Sequence, residues 1–221
     1  MKRKIITTAD GSKTIQIEDW NEQYHSVHGA IQEAYHVFIK HGLSLFHDQP
    51  LSILEIGFGT GLNALITLLE SKKRGLDIVY KGIEAYPVVR EELKQLDYIE
   101  ALDAGDMEHC FFNMHQISWG QPHLILPNFS LIKQQIDFRE IADVDQFDLI
   151  YFDAFGARVQ PELWTEEVFA IMFRALKKDG LLVTYSAKGS VRRAMQAVGF
   201  VVERLQGPPG KREMLRALKV S

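Results

Sequence analysis

Ile53-Leu54-Glu55-Ile56-Gly57-Phe58-Gly59-Thr60-Gly61-Leu62-Asn63 is the stretch on which the fold turns. An apolar run, Leu51 to Ile56, enters three glycines at alternate positions, and a helical run, Leu62 to Leu69, leaves them. Strand, glycine turn and helix open a nucleotide-binding α/β sheet, because glycine lets the backbone pass close beneath a ligand where a side chain would collide. The dinucleotide fingerprint places its last glycine at the sixth position of the loop. Here that position is Leu62, and Gly61 stands at the fifth. The departure favours S-adenosylmethionine, which has no pyrophosphate to be cradled at the helix N-terminus. Glu55, Gly57, Phe58, Gly59, Gly61 and Asn63 are therefore candidate cofactor residues.

Downstream, Ile78–Glu84 reads as the second strand and ends on an acid 23 residues after Gly61. A carboxylate there accepts hydrogen bonds from ribose hydroxyls, although alone it reads as a solvated acid. Pro87 suits the first turn of a following helix. Residues 100–122 show no clean period. Leu124–Leu126 and Ser130–Phe138 read as strands, and Phe147–Phe152 as a buried strand running into Asp153. Asp153 is the candidate catalytic residue and a further cofactor contact, because strand carboxyl ends face the ligand in a doubly wound sheet. The competing reading is a loop cap. A helix over 164–178, a strand Leu181–Ser186, a helix Val191–Val198, a strand Phe200–Leu205 and a returning strand Arg212–Val220 complete the pattern. The whole predicts an α/β fold: a doubly wound, mostly parallel sheet with an antiparallel last strand.

Before this sheet, residues 4–17 alternate around Asp10-Gly11 as a hairpin. Residues 28–46 carry a helical apolar stripe. We therefore divide the chain into an N-terminal hairpin and helix extension, 1–46, and a catalytic domain, 47–221. Tyr24, which with His25, Ser26 and His28 precedes the first helix, is a candidate to lie over the cofactor; the competing reading, commoner for such residues, is a satisfied loop group. Trp164 reads as core rather than as a substrate platform.

The 221 residues carry a net charge of −4, which argues against a general nucleic-acid coat. The charge is segregated, however. From Lys188 to Ser221 eight Lys and Arg stand against Glu203 and Glu213, so that segment is +6 and the remainder −10. Such a face suits an anionic partner, or serves only solubility. No apolar run is long enough to span a membrane. The single cysteine, Cys110, excludes an internal disulfide and the Cys/His pattern has no zinc spacing, so a cytoplasmic protein without metal is expected. No Ser-His-Asp or Cys-His set is discernible.

Several motifs together resemble the tRNA 5-methylaminomethyl-2-thiouridine methyltransferases, the methyltransferase half of the bifunctional wobble-uridine enzyme. They are Asp19-Trp20-Asn21-Glu22-Gln23-Tyr24-His25-Ser26, the glycine loop, Glu84-Ala85-Tyr86-Pro87, Phe152-Asp153-Ala154-Phe155, Pro161-Glu162-Leu163-Trp164-Thr165, Gly189-Ser190-Val191-Arg192-Arg193, Gly199-Phe200 and Gly210-Lys211-Arg212-Glu213-Met214-Leu215. They cover nearly the whole chain. The resemblance implies a class I S-adenosylmethionine-dependent methyltransferase fold with S-adenosyl-L-methionine, and neither metal nor FAD. It implies N-methylation of an aminomethyl group on wobble uridine of tRNA. Arg192, Arg193, Lys211 and Arg212 fall on family motifs and are implied to meet RNA phosphate. The family's oxidoreductase half has no counterpart here, which implies a stand-alone member supplied with aminomethyl precursor by an oxidoreductase or other enzyme. Residues 156–160 depart from the family pattern, and the family's acid for the adenine amino group aligns near Arg139-Glu140. Two other readings stay open on the residues alone. A small-molecule amine N-methyltransferase would not need the basic tail, and an RNA-binding relic would not bind the methyl donor.

Overall fold

The computed structural model describes residues 2–220. The hairpin forms as β1 (Arg3–Thr7) and β2 (Lys13–Ile17), and β3 (Glu22–Gln23) adds a short third strand. Asp10 closes its turn, accepting hydrogen bonds from the hydroxyls of Thr8 and Ser12, both at 2.6 Å. Helix α1 (Ala30–Ala34) runs on as a wider π-type turn over Tyr35–Lys40. Its apolar stripe, with Ala34, Val37 and Phe38, joins the core of the large sheet.

That sheet is built from β4 (Pro50–Ile56), β5 (Asp77–Ile83), β6 (Pro122–Leu126), β7 (Phe129–Gln134), β8 (Phe147–Phe152), β9 (Leu176–Thr184), β10 (Val201–Gln206) and β11 (Glu213–Leu218). Its order is β10-β11-β9-β8-β4-β5-β7-β6. The inner strands from β9 to β7 are parallel, while β11 and the edge strand β6 run antiparallel to their neighbours. The helices between strands are α2 (Leu62–Lys73), α3 (Arg90–Leu93), α4 (Tyr98–Ala101), α5 (Glu108–Gln116), α6 (Glu166–Ala175) and α7 (Gly189–Ala197). Both faces of the sheet are covered, which explains the unbroken apolar runs of β4 and β8. Successive residues of β4 feed opposite cores: Ile53 packs with α2, Leu54 with α6.

The structure departs from the sequence pattern in four places. Residues 100–122, without a readable period, contain α5, because only Phe111 and Met114 of that helix are buried. Pro87 lies outside α3, whose first residue is Arg90. The strand expected to reach Phe138 stops at Gln134, and 138–140 form a 3-10 turn capped by Asp137. The helix expected to 178 ends at Ala175, and Leu176 is already extended. Lys177-Lys178-Asp179-Gly180 belongs to a bulged start of β9, with Asp179 at φ 63 and Lys177 paired to Asp148 of β8 at 2.8 Å.

Candidate active site

Parallel strands deliver their carboxyl ends to one edge of the sheet, and there β4, β5 and β8 present the glycine loop, Glu84 and Asp153 around one cavity of about 410 Å³. The glycine loop forms its floor. Gly57 has to be glycine: a Cβ would fall 2.7 Å from the backbone oxygen of Asp153, so the ends of β4 and β8 meet here without room for a methyl group. Gly59 sits at φ +50 with its N–H donating to Glu84 Oε2 at 2.8 Å. Glu84 Oε1 accepts from the N–H of Tyr86, also at 2.8 Å. Each oxygen of this acid is thus oriented by one backbone donor and keeps a lone pair for a ligand hydroxyl.

Tyr24 reaches over the loop from the extension. A Cβ on Gly59 would lie 3.0 Å from its ring, and the ring packs edge-on against Phe155 with centroids 5.0 Å apart. Asp153 is held from below. Asn63 Nδ2 gives one hydrogen to Asp153 Oδ2 at 2.9 Å and the other to Glu55 Oε1 at 3.0 Å. Burial holds the Glu55 carboxyl well above the usual carboxylate range. Burial, reinforced by the charge of Glu33, raises the Asp153 carboxyl to about 7, against the smaller pull of Asn63 and Lys211. His25, also on the wall, is lowered by burial to about 4 and is a neutral imidazole.

Tyr24, Gly57, Phe58, Gly59, Asn63, Glu84 and Asp153 all line this cavity. Glu55 and Gly61 do not. Glu55 is 1% exposed and acts through Asn63, and Gly61 caps α2 at φ 73 where a Cβ would meet His115 at 2.8 Å. Glu140 is exposed and off the wall; the acid of that segment that lines it is Asp137, which grips Arg139 at 2.6 Å. The four basic residues divide. Arg193 and Arg212 are exposed, Arg192 is half-buried, and Lys211 turns inward onto Glu33. Trp164 is core, its Nε1 donating to the Phe155 carbonyl at 2.8 Å. Sequence reasoning missed Glu33 and Tyr185 on the wall. Glu33 sits in an ordinary amphipathic helix, and Tyr185 follows a strand with no motif of its own.

The wall fits S-adenosyl-L-methionine: a side-chain-free floor at Gly57 and Gly59, an oriented acid for ribose hydroxyls at Glu84, and a roof ring at Tyr24. Among the described residues no group of three or more His, Cys, Asp or Glu side chains is placed to hold a metal. The strand order, with its antiparallel β11, and this cavity define a class I S-adenosyl-L-methionine-dependent methyltransferase. Residues 129–220 match the profile of a family described as S-adenosyl-L-methionine-dependent methyltransferase. A tRNA 5-methylaminomethyl-2-thiouridine biosynthesis bifunctional protein MnmC from Idiomarina loihiensis is 29% identical over 217 residues, covering 89% of this chain and 35% of the relative. The crystal structure of MnmC2 from Aquifex aeolicus superposes with a TM-score of 0.77 at 27% identity, covering 98% of this chain and 69% of that one. Spermidine synthase from Thermotoga maritima shares the fold, with a TM-score of 0.54 at 14% identity. Over nearly its whole length the chain is similar to MnmC-type methyltransferases. It spans about a third of the length of the MnmC relatives it matches.

Glu84→Ala is expected to weaken binding of the methyl donor by about 1–3 kcal/mol, the range for a hydrogen bond to a charged group. Calorimetry with S-adenosylmethionine, beside an unchanged circular dichroism spectrum, tests this. An unchanged affinity would leave Glu84 only its role in fastening the backbone at Gly59 and Tyr86.

Proposed function

We propose that this protein transfers a methyl group to the aminomethyl nitrogen on a wobble uridine of tRNA, working in the cytoplasm on precursor made by another enzyme, such as an oxidoreductase. The observation that carries this is Asp153: a carboxyl of pKa about 7, facing the cavity, with one oxygen fixed by Asn63 and the other free of hydrogen bonds among the described residues. The kinship with MnmC proteins supplies the substrate class.

When bound, S-adenosyl-L-methionine supplies an electrophilic methyl on its own leaving group, so no covalent enzyme intermediate is needed. The protein has to orient and to move one proton. Gly57 and Gly59 bring the backbone against the donor, Glu84 takes its ribose hydroxyls, and Asn63 aims Asp153 at the acceptor nitrogen. An alkylamine arrives mostly as ammonium, with a pKa near ~10. At its ordinary pKa a carboxylate is a poor acceptor for that proton, which favours pure positioning. Burial of Asp153 changes the balance: at about 7 its free oxygen is a competent acceptor near neutral pH. Positioning of amine, methyl and leaving group in line supplies the rest, up to ~7–11 kcal/mol in favourable cases.

Mass spectrometry of wobble nucleosides, after incubation of the protein with labelled donor and undermodified tRNA, is the direct test. Label on the aminomethyl nitrogen is expected; label elsewhere, or none, overturns the reading. The exposed basic residues give a second test. Arg193 and Arg212 have no acidic partner among the described residues, whereas Glu203 and Glu213 are engaged by Arg216 and Arg204. Replacing Arg193 and Arg212 together is expected to flatten the salt dependence of tRNA binding by about 0.7–0.9 log unit per lost phosphate contact. Donor affinity should not change. An unaltered slope, accompanied by lower thermal stability, would assign both arginines to folding.

A further inference from the structure

The acceptor end of the cavity holds a second carboxylate besides Asp153. Glu33 of α1 has a side chain only 10% exposed, and it accepts the N–H of Ser26 at 2.9 Å. Its other oxygen is taken by the ammonium of Lys211. That ammonium also lies 3.9 Å from the ring centroid of Tyr185. The ring is locked in place, because its hydroxyl donates to the Ala154 carbonyl at 2.8 Å and its edge meets Trp164 with centroids 6.0 Å apart.

A carboxylate on one side and an aromatic face on the other is the environment that selects an alkylammonium. Here the group it holds is the chain's own lysine. Glu33, Tyr185, Lys211 and Asp153 line the same cavity. Lys211 has an outward route as well. It follows the Gly207-Pro208-Pro209-Gly210 turn, and Gly210 and Lys211 also border a second, shallower groove with Lys40 and Arg212. In that groove a displaced ammonium would join two further cations, an arrangement suited to a phosphate. While no substrate is bound, Lys211 keeps the buried Glu33 charge from standing unpaired, which would be costly.

We propose that Glu33 and the face of Tyr185 form the receptor for the cationic aminomethyl group of the substrate, and that Lys211 is an internal placeholder which the substrate displaces. The inference rests on the amine-methylation reading above. The receptor binds the ammonium and sets it beside Asp153, whose free oxygen receives the proton; Glu33 is thus a specificity residue.

The test compares one tRNA bearing 5-aminomethyl or 5-hydroxymethyl uridine at the wobble position. Wild type is expected to bind the amine form about tenfold more tightly or better, the scale of a hydrogen bond to a charged group. Glu33→Gln should lose that preference and raise KM by a similar factor, with the calorimetric affinity for S-adenosylmethionine little changed. Tyr185→Leu should also lose the preference and Tyr185→Phe keep it, which preserves the test if Glu33→Gln does not fold. Lys211→Met removes the competitor, so n-butylammonium should bind this variant several-fold more tightly than wild type. Retained amine preference in Glu33→Gln overturns the proposal. So does a matching loss of donor affinity, which would give Glu33 to the α-ammonium of the donor. Should the wild type methylate no aminomethyl RNA, the function above falls, and the butylammonium comparison still decides the receptor: equal or weaker binding by Lys211→Met overturns it.

Discussion

Asp153→Asn is expected to lower turnover by about two to four orders of magnitude, the span of general-base contributions, and at the same time to stabilise the protein at pH 8. Both effects have one origin. The carboxyl is held at about 7 by burial and by the charge of Glu33. A buried acid resists ionisation, and the folded state bears the cost once the pH forces it. The sign follows from linkage: the folded pKa lies above the unfolded value of 3.8, so wild type loses stability relative to the Asn variant as pH rises from about 4 to 7, and the difference then levels off. At roughly 1.4 kcal/mol per pKa unit the ceiling is about 4 kcal/mol, and water in the open cavity reduces it to about 1–3. Asn keeps an oxygen to accept from Asn63 Nδ2, so packing is preserved. Thermal unfolding of both proteins between pH 5 and 8, with single-turnover rates, measures the pair of effects. For wild type, kcat/KM is expected to rise through about pH 7 as Asp153 ionises. An Asn variant within tenfold of wild-type turnover would reduce Asp153 to an orienting role. A stability gain that does not grow with pH would contradict the burial argument.

Gly59→Val is the second large effect. The expected loss is at least a hundredfold in donor affinity, about 3 kcal/mol, from backbone strain and occupied space together. At φ +50 a β-branched residue is strained. Its side chain would also enter the gap beneath Tyr24, where even a single Cβ comes within 3.0 Å of the ring. The N–H of residue 59, which orients Glu84, would shift with it. The separate contributions can be resolved. Gly59→Ala should lose less, because it adds the Cβ without the two branched methyls that would enter the space beneath Tyr24. Calorimetry reports the affinity and circular dichroism the fold. A folded Gly59→Val protein that binds S-adenosylmethionine like wild type would mean the donor lies elsewhere.

What the sequence discloses here is what local chemistry decides. The glycine loop, Glu84 and Asp153 each terminate an apolar strand, and parallel strands bring such ends together, so three separated motifs were readable as one site. Asn63 was readable because it lies one residue inside the helix that the loop starts. Glu33 and Tyr185 had no such marker. Their meaning depends on the turn at 207–210 folding back onto α1, which no local pattern announces. The Lys177-Lys178-Asp179-Gly180 run shows the opposite hazard. It has the composition of a helix end, yet Leu176 is fully buried in the sheet and the run becomes a bulged strand. Lys211 was legible as a cation and misplaced as a surface one, because charge counting carries no information on the direction of a side chain.

The pairing of α1 with the 207–210 turn also sets a timetable. Glu33 and Lys211 are 178 positions apart in the chain, and His36 bonds the Gln206 carbonyl at 2.8 Å across 170. Contacts of such separation form late, since the loop they close must be ordered first. During synthesis every residue of the donor bed has been joined to the chain once Phe155 is added, whereas the amine end waits for Tyr185 and Lys211.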